Sequence, residues 1–164
     1  MMKDTELLAK AIAFAADKHK EQLRKDGTPY IYHPLKVAEL VKNEGHSIKC
    51  QIVAILHDVL EDTDASEEDI RSFGEDVLVA VKLLTRLPGT PENVYVEGIL
   101  ENPMATIVKN ADKLHNIKDA GTISDIKWSK KYIQKSKLYY EGKFSKELDA
   151  TIEEALKSLN ASSC

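Results

Sequence analysis

Cysteine is almost missing from this chain. Cys50 and Cys164 are the only two in 164 residues. They are far apart and fit no metal or redox motif, so a disulfide scaffold is excluded and a reduced, intracellular protein is expected. Long apolar runs are missing too. No stretch approaches the ~20 residues of a membrane-spanning helix. The opening Met-Met-Lys-Asp-Thr-Glu is too polar for a signal peptide. A cytoplasmic protein follows as the expectation. Excess positive charge is also absent: 23 Lys and Arg stand against 27 Asp and Glu, a net charge of −4. That leaves no global basic field for nucleic acid. The expected partner is a small molecule, with no nucleic acid and no membrane. Strand-period alternation, internal repeats and low-complexity blocks are lacking as well, which argues against a sheet protein or a repeat array.

What the sequence does have is helical periodicity. Leu7, Leu8, Ala11, Ile12, Ala15 and Ala16 recur at the spacing of one buried face, which predicts a first helix capped by Asp4 or Thr5 and ending near Lys20. Turn chemistry at Asp26-Gly27 and Pro29 predicts a loop over 24–33. Pro34 suits the first turn of a second helix, which stops near Gly45. Ser47 is a natural cap for a third helix running to Asp62, and Ser66 for a short one reaching Gly74. Another helix follows Gly74. Leu87-Pro-Gly-Thr-Pro91 predicts a flexible surface loop. Helices are then expected over 93–101, from Asn102-Pro103 to Gly121, over 124–140 and over 145–159, with Asn160 to Cys164 frayed. The length suits one core, and nothing in the composition marks a boundary. The expectation is an all-α, single-domain helical bundle over 1–164.

His57-Asp58 is the most informative pair, set in a strongly apolar helical segment where polar groups are costly unless something binds them. On one helix, at about 100° per residue, His57, Asp58, Glu61 and Asp62 fall within a wedge of roughly 140°. Packing alone gives no reason to gather these four. His33, beside Pro34, and Asp112, on a later helix, complete an H…HD…D set of two imidazoles and two carboxylates. Nitrogen and oxygen donors without thiolate suit one divalent ion, Mn²⁺ first, with Fe²⁺, Zn²⁺ or Co²⁺ as alternatives. Four protein ligands leave positions for water and a phosphate oxygen. Such an ion polarises a phosphoryl group and acidifies water.

The H…HD…D spacing resembles the HD phosphohydrolase superfamily. Four stretches narrow the likeness: Phe14-Ala-Ala-Asp-Lys-His19 with Gln22, Arg24-Lys-Asp-Gly-Thr-Pro-Tyr-Ile-Tyr-His-Pro34, His57-Asp-Val-Leu-Glu-Asp-Thr63 and Val108-Lys-Asn-Ala-Asp-Lys-Leu-His-Asn116. In order and spacing they resemble the hydrolase domain of the RelA/SpoT family, over about 5–120. The helices over 124–159 would complete the bundle. The length leaves no room for that family's synthetase domain, so the likeness is to its stand-alone small alarmone hydrolases.

The resemblance implies His33, His57, Asp58 and Asp112 as metal ligands and Glu61 and Asp62 as the catalytic acid/base pair. It implies Arg24 and Lys25 as nucleotide contacts; a guanidinium can stack on a purine, while an ammonium is a point charge for phosphate. Lys109, Asp112 and Asn116 share one helix face, which adds Lys109 and Asn116 as substrate-binding candidates. His19 is expected in a supporting or packing role, and His46 in a loop. Trp128, Tyr132, Ile133, Leu138 and Tyr139 point to core or to a homo-oligomer surface.

The implied reaction is metal-dependent removal of pyrophosphate from the 3′ position of guanosine 5′-di- or triphosphate 3′-diphosphate. The alternatives are an HD hydrolase for another nucleotide (the 2′-phosphate of NADPH, a dNTP, a nucleoside monophosphate) and a non-catalytic nucleotide sensor.

Overall fold

The computed structural model describes residues 2–161. Cys164 and the rest of the expected frayed tail beyond Ala161 lie outside them, whereas Asn160 and Ala161 belong to the last helix. Among the described residues the structure is all-α, with ten helices. The one β-type pairing is an isolated bridge between Leu23 and Pro29. No helix of the described residues is long and apolar enough to cross a membrane. The chain forms two compact units, Met1–Ala111 and Asp112–Cys164.

The first unit is built around α3 (Ile48–Leu56). Ser47 caps it by accepting from the Cys50 amide at 3.3 Å, an interaction worth about 1 kcal/mol. Ile52, Val53, Ala54, Ile55 and Leu56 are all buried, so the second half of this helix is apolar on every side. That is the pattern of a central element. It packs against α1 (Asp4–Lys18) and α2 (Tyr32–Asn43), which contribute Ala11, Ala15, Val37 and Val41. The first helix begins at Asp4, capped by Lys3 in place of the expected Asp4 or Thr5. Glu6 reaches back to accept from the Lys3 amide at 3.1 Å, so the first turn is satisfied from within.

The third helix does not run on to Asp62 as its sequence suggests. It stops at Leu56, and a separate turn, α4 (Val59–Asp62), resumes beyond His57 and Asp58. The His57 ring supplies the reason. Its Nδ1 bonds the Ala54 carbonyl at 2.6 Å. In an unbroken helix that carbonyl would accept the Asp58 amide. A side chain thus takes the place of one rung, and the backbone regains its ladder at Asp62, whose amide donates to the Asp58 carbonyl at 3.0 Å.

The remaining helices of this unit are α5 (Glu67–Arg71), capped by Ser66; α6 (Glu75–Leu84); and α7 (Glu92–Leu100). Gly74 precedes α6 at φ 129, a conformation closed to other residues without strain. The loop between α6 and α7 is not a loose tether. The Arg86 guanidinium donates to the Thr90 carbonyl through Nε (3.1 Å) and Nη2 (2.9 Å) and pairs with Glu92 at 2.5 Å.

Helix α8 (Pro103–Ala120) stops before Gly121, and the second unit begins within it at Asp112. With α9 (Ile126–Tyr140) and α10 (Lys146–Ala161), this unit buries Leu114, Ile133, Tyr140, Leu148 and Ile152. Lys113 is buried there too. Its ammonium lies 4.7 and 4.3 Å from the Tyr132 and Tyr140 ring centres and bonds the Ser136 hydroxyl at 3.3 Å. Aromatic faces and hydroxyls replace the water that a buried cation gives up.

Ile52→Ala should cost about 2–5 kcal/mol of stability, because it leaves a cavity in a helix packed on all sides. Leu138→Ala, at a site 72% exposed, should be near neutral. Urea denaturation of the two variants checks this.

Candidate metal centre and its carboxylate pair

His33 lies in the first turn of α2, where Pro34 sets the backbone and the His33 amide donates to the Tyr30 carbonyl at 2.9 Å. The ring is buried and meets the His57 ring edge-on, centroids 5.3 Å apart. The His57 bond to Ala54 makes Nδ1 the protonated nitrogen and leaves Nε2 as the lone-pair donor. Asp58, at the start of α4, places Oδ2 2.9 Å from His57 Nε2 and 3.7 Å from His33 Nε2. The Tyr30 hydroxyl donates to that same carboxylate oxygen in a short bond. Asp112 follows Ala111 directly along unbroken α8, and one ligand atom from each of His33, His57, Asp58 and Asp112 lies within 4.8 Å of the others.

This donor set fits a divalent cation. Ligand bonds of about 2.1 Å place neighbouring donors about 3 Å apart and opposite donors about 4 Å apart. An imidazole lone pair facing a carboxylate at 2.9 Å repels unless a positive charge sits between them. Asp112 is oriented in turn by Asn116, whose amide donates to Oδ1 at 2.9 Å. The i, i+4 spacing therefore gives Asn116 a hold on a ligand, a role that the sequence reading passed over in favour of substrate.

Glu61 and Asp62 stand on the α4 turn and reach in different directions. Glu61 Oε1 accepts from the Arg86 amide at 2.6 Å. Asp62 Oδ2 accepts from the Gln22 side chain at 3.2 Å, and Gln22 is braced by the buried His19 ring, Nδ1 to Oε1 at 2.7 Å. His19 thus supports a partner of Asp62, in keeping with a supporting role. Both residues are exposed, yet partial desolvation of their carboxyls raises the pKa of each, and the nearby Asp58 charge raises them further. The Arg86 amide and the Lys109 charge oppose this at Glu61, as Gln22 and His19 do at Asp62. Lys109 is half-buried, its ammonium 5.2 Å from the Tyr95 ring centre. Tyr95 itself is a packing residue, its hydroxyl bonding the Leu84 carbonyl at 2.6 Å.

Arg24 sits on the turn that the Leu23–Pro29 bridge closes, its amide bonded to the Thr28 carbonyl at 2.8 Å. Its guanidinium lies 5.9 Å from the centre of the Tyr30 ring, so one tyrosine links this turn to Asp58. Lys25 is exposed on the same turn. Sequence reasoning gave no part to Tyr30 or Arg86. Tyr30 stands three residues before His33 inside a recognised motif, a signal that could have been used. Arg86 offers no such signal, because its bond to Glu61 spans 25 residues of chain.

The HD domain family matches residues 11–94. The chain is 35% identical to the guanosine-3′,5′-bis(diphosphate) 3′-pyrophosphohydrolase MESH1 of Danio rerio, covering 94% of this chain and 93% of that protein. Against the Homo sapiens protein of the same name the identity is 36%, covering 93% and 92%. The Aquifex aeolicus guanosine-3′,5′-bis(diphosphate) 3′-pyrophosphohydrolase is 41% identical over 69% of this chain, but only 18% of that longer protein is matched. A solved structure described as a metazoan ortholog of SpoT that hydrolyses ppGpp superposes with a TM-score of 0.70 at 27% identity, covering 92% of this chain and 94% of that one.

His57→Ala and Asp58→Ala should each abolish retention of a divalent ion, read by elemental analysis of the purified protein. Glu61→Ala should retain it. Asn116→Ala, which releases Asp112, should weaken metal affinity by about tenfold or more in calorimetric titration.

Proposed function

The chain belongs to the HD-domain family, and we propose that it hydrolyses guanosine 5′-di- or triphosphate 3′-diphosphate to GDP or GTP and pyrophosphate. The observation that carries this reading is the convergence of two imidazoles and two carboxylates beside a further carboxylate pair, in a chain that is 35% identical over nearly its whole length to a protein named for that activity.

His33, His57, Asp58 and Asp112 would hold a divalent ion, proposed as Mn²⁺, which when bound would supply Lewis acidity toward the phosphoryl oxygens. The rest falls to the chain's own side chains. The water oxygen bonds to the phosphorus that carries the ribose 3′ oxygen, the bond from that phosphorus to O3′ breaks, and O3′ ends as a hydroxyl. Two proton movements are therefore needed, one from the water and one to O3′. Glu61 and Asp62, the two carboxyls on the turn that begins at Asp58, cover them. The Arg86 and Gln22 bonds keep each carboxyl aimed while it does so.

Arg24 supports recognition of the purine, since a guanidinium held beside the Tyr30 ring can cover a base. Lys25 and Lys109 supply charge for the phosphates, and Asn116 acts chiefly through Asp112. We place the protein in the cytoplasm, where guanine nucleotides are made and used.

Incubation with Mn²⁺ and guanosine 5′-diphosphate 3′-diphosphate should release pyrophosphate. It should do so with a kcat/KM well above that for NADPH, dNTPs or nucleoside monophosphates. Release with none of the divalent ions, or tight binding without turnover, overturns the reading. Arg24→Lys should lower kcat/KM about tenfold, since lysine keeps the charge but lacks the planar face. Near wild-type kinetics for that variant would remove the stacking role.

A further inference from the structure

We propose that Arg86 is a positioning residue for Glu61, folding the loop between α6 and α7 so that its own amide is held against the Glu61 carboxylate. The inference rests on the assignment of Glu61 to proton transfer during hydrolysis.

Glu61 has little to hold it from within its own element. The α4 turn is four residues long, and the Glu61 side chain leaves it on an exposed side. A glutamate there has three rotatable bonds and loses considerable freedom when aimed at one place. Its hydrogen-bond anchor is the Arg86 amide, 2.6 Å from Oε1. A backbone donor fixes a carboxylate only as well as the backbone itself is fixed, and Arg86 lies past the end of α6, outside the helix ladder.

The Arg86 side chain fixes that backbone. Thr85 ends α6 in an extended conformation, its hydroxyl bonding back to the Val81 carbonyl at 2.8 Å. The chain then turns at Leu87–Thr90, the Thr90 amide donating to the Leu87 carbonyl at 3.2 Å, with Pro88 entering the turn and Gly89 at φ 82. This brings the Thr90 carbonyl back over residue 86, where it accepts from both Nε and Nη2 of Arg86. Nη1 pairs with Glu92, which stands in the first turn of α7 with its side chain 8% exposed. One guanidinium thus spans both ends of the loop. Three donors in a rigid plane meet two acceptors of fixed position, a geometry that an ammonium cannot reproduce. Arg86 closes the loop with its side chain and presents the loop's product, an aimed N–H, with its main chain.

A purely structural staple and a positioning residue differ in one observable. If Arg86 acts through Glu61, its removal matters to turnover only while Glu61 is present. Wild type, Arg86→Ala, Glu61→Ala and the double variant are compared in pyrophosphate release, metal content and thermal midpoint, and Arg86→Lys completes the set. Arg86→Ala should lower kcat about tenfold, leave KM within about twofold and retain metal, and in the Glu61→Ala background it should cost less than about twofold more. Its effect on the thermal midpoint should be the same in both backgrounds. Arg86→Lys should fall between wild type and Arg86→Ala, and if Arg86→Ala does not fold, the same cycle run with Arg86→Lys gives the answer. Equal losses of kcat in both backgrounds, or an unchanged kcat with only a lowered midpoint, overturn the proposal while leaving the functional reading intact. An unimpaired Glu61→Ala overturns the role given to Glu61 and this proposal with it.

Discussion

One hydrogen bond organises the first unit: His57 Nδ1 to the Ala54 carbonyl. It takes an acceptor from the helix ladder, so α3 ends where the apolar run ends. It fixes the tautomer of a buried ring, which turns the other nitrogen into a ligand. It also opens a two-residue break that sets Asp58 at the head of a new turn, close to both histidines. The apolar helix is what makes the break tolerable. Five consecutive buried residues, Ile52 to Leu56, hold α3 against α1 and α2, so the break does not unravel it.

The break also determines how the two further carboxylates are used. From a short turn rather than a long helix, Glu61 and Asp62 are free to be captured from outside, and each is. Arg86 takes one and Gln22, backed by His19, takes the other. Tyr30 joins the Arg24 turn to Asp58 in the same manner. Polar groups from two loops, one between α1 and α2 and one between α6 and α7, therefore reach toward the turn that follows a rigid apolar helix. Catalytic groups on loops held by a rigid scaffold are a common solution where charge must be gathered but not buried unpaired.

Much of this was legible in the sequence, for identifiable reasons. Helical periodicity and the caps at Ser47 and Ser66 placed most of the helices, because both signals are local. His57 and Asp58 stood out because polar groups inside an apolar run need a purpose, and His33 and Asp112 because they complete an H…HD…D ligand pattern; the structure does gather the four. The interruption at His57 was not legible. It comes from a side chain competing for a backbone carbonyl, which periodicity does not register. The loop at Leu87–Pro91 reads as loose because its prolines and glycine are turn residues. What holds it is an arginine before the turn and a glutamate after it, and their approach is set by the packing of α6 and α7. Asn116 was visible at the right spacing from Asp112, yet its hydrogen bond to the ligand emerged only with the side chains in place.

The central claim is that the metal centre and its carboxylate pair direct water onto the phosphorus attached to the ribose 3′ oxygen. Hydrolysis of guanosine 5′-diphosphate 3′-diphosphate in ¹⁸O-labelled water, with the products resolved by mass spectrometry, tests it most directly. The account predicts a single ¹⁸O in the pyrophosphate and none in the GDP. Label in the ribose hydroxyl of GDP, or release of inorganic phosphate in place of pyrophosphate, would contradict it.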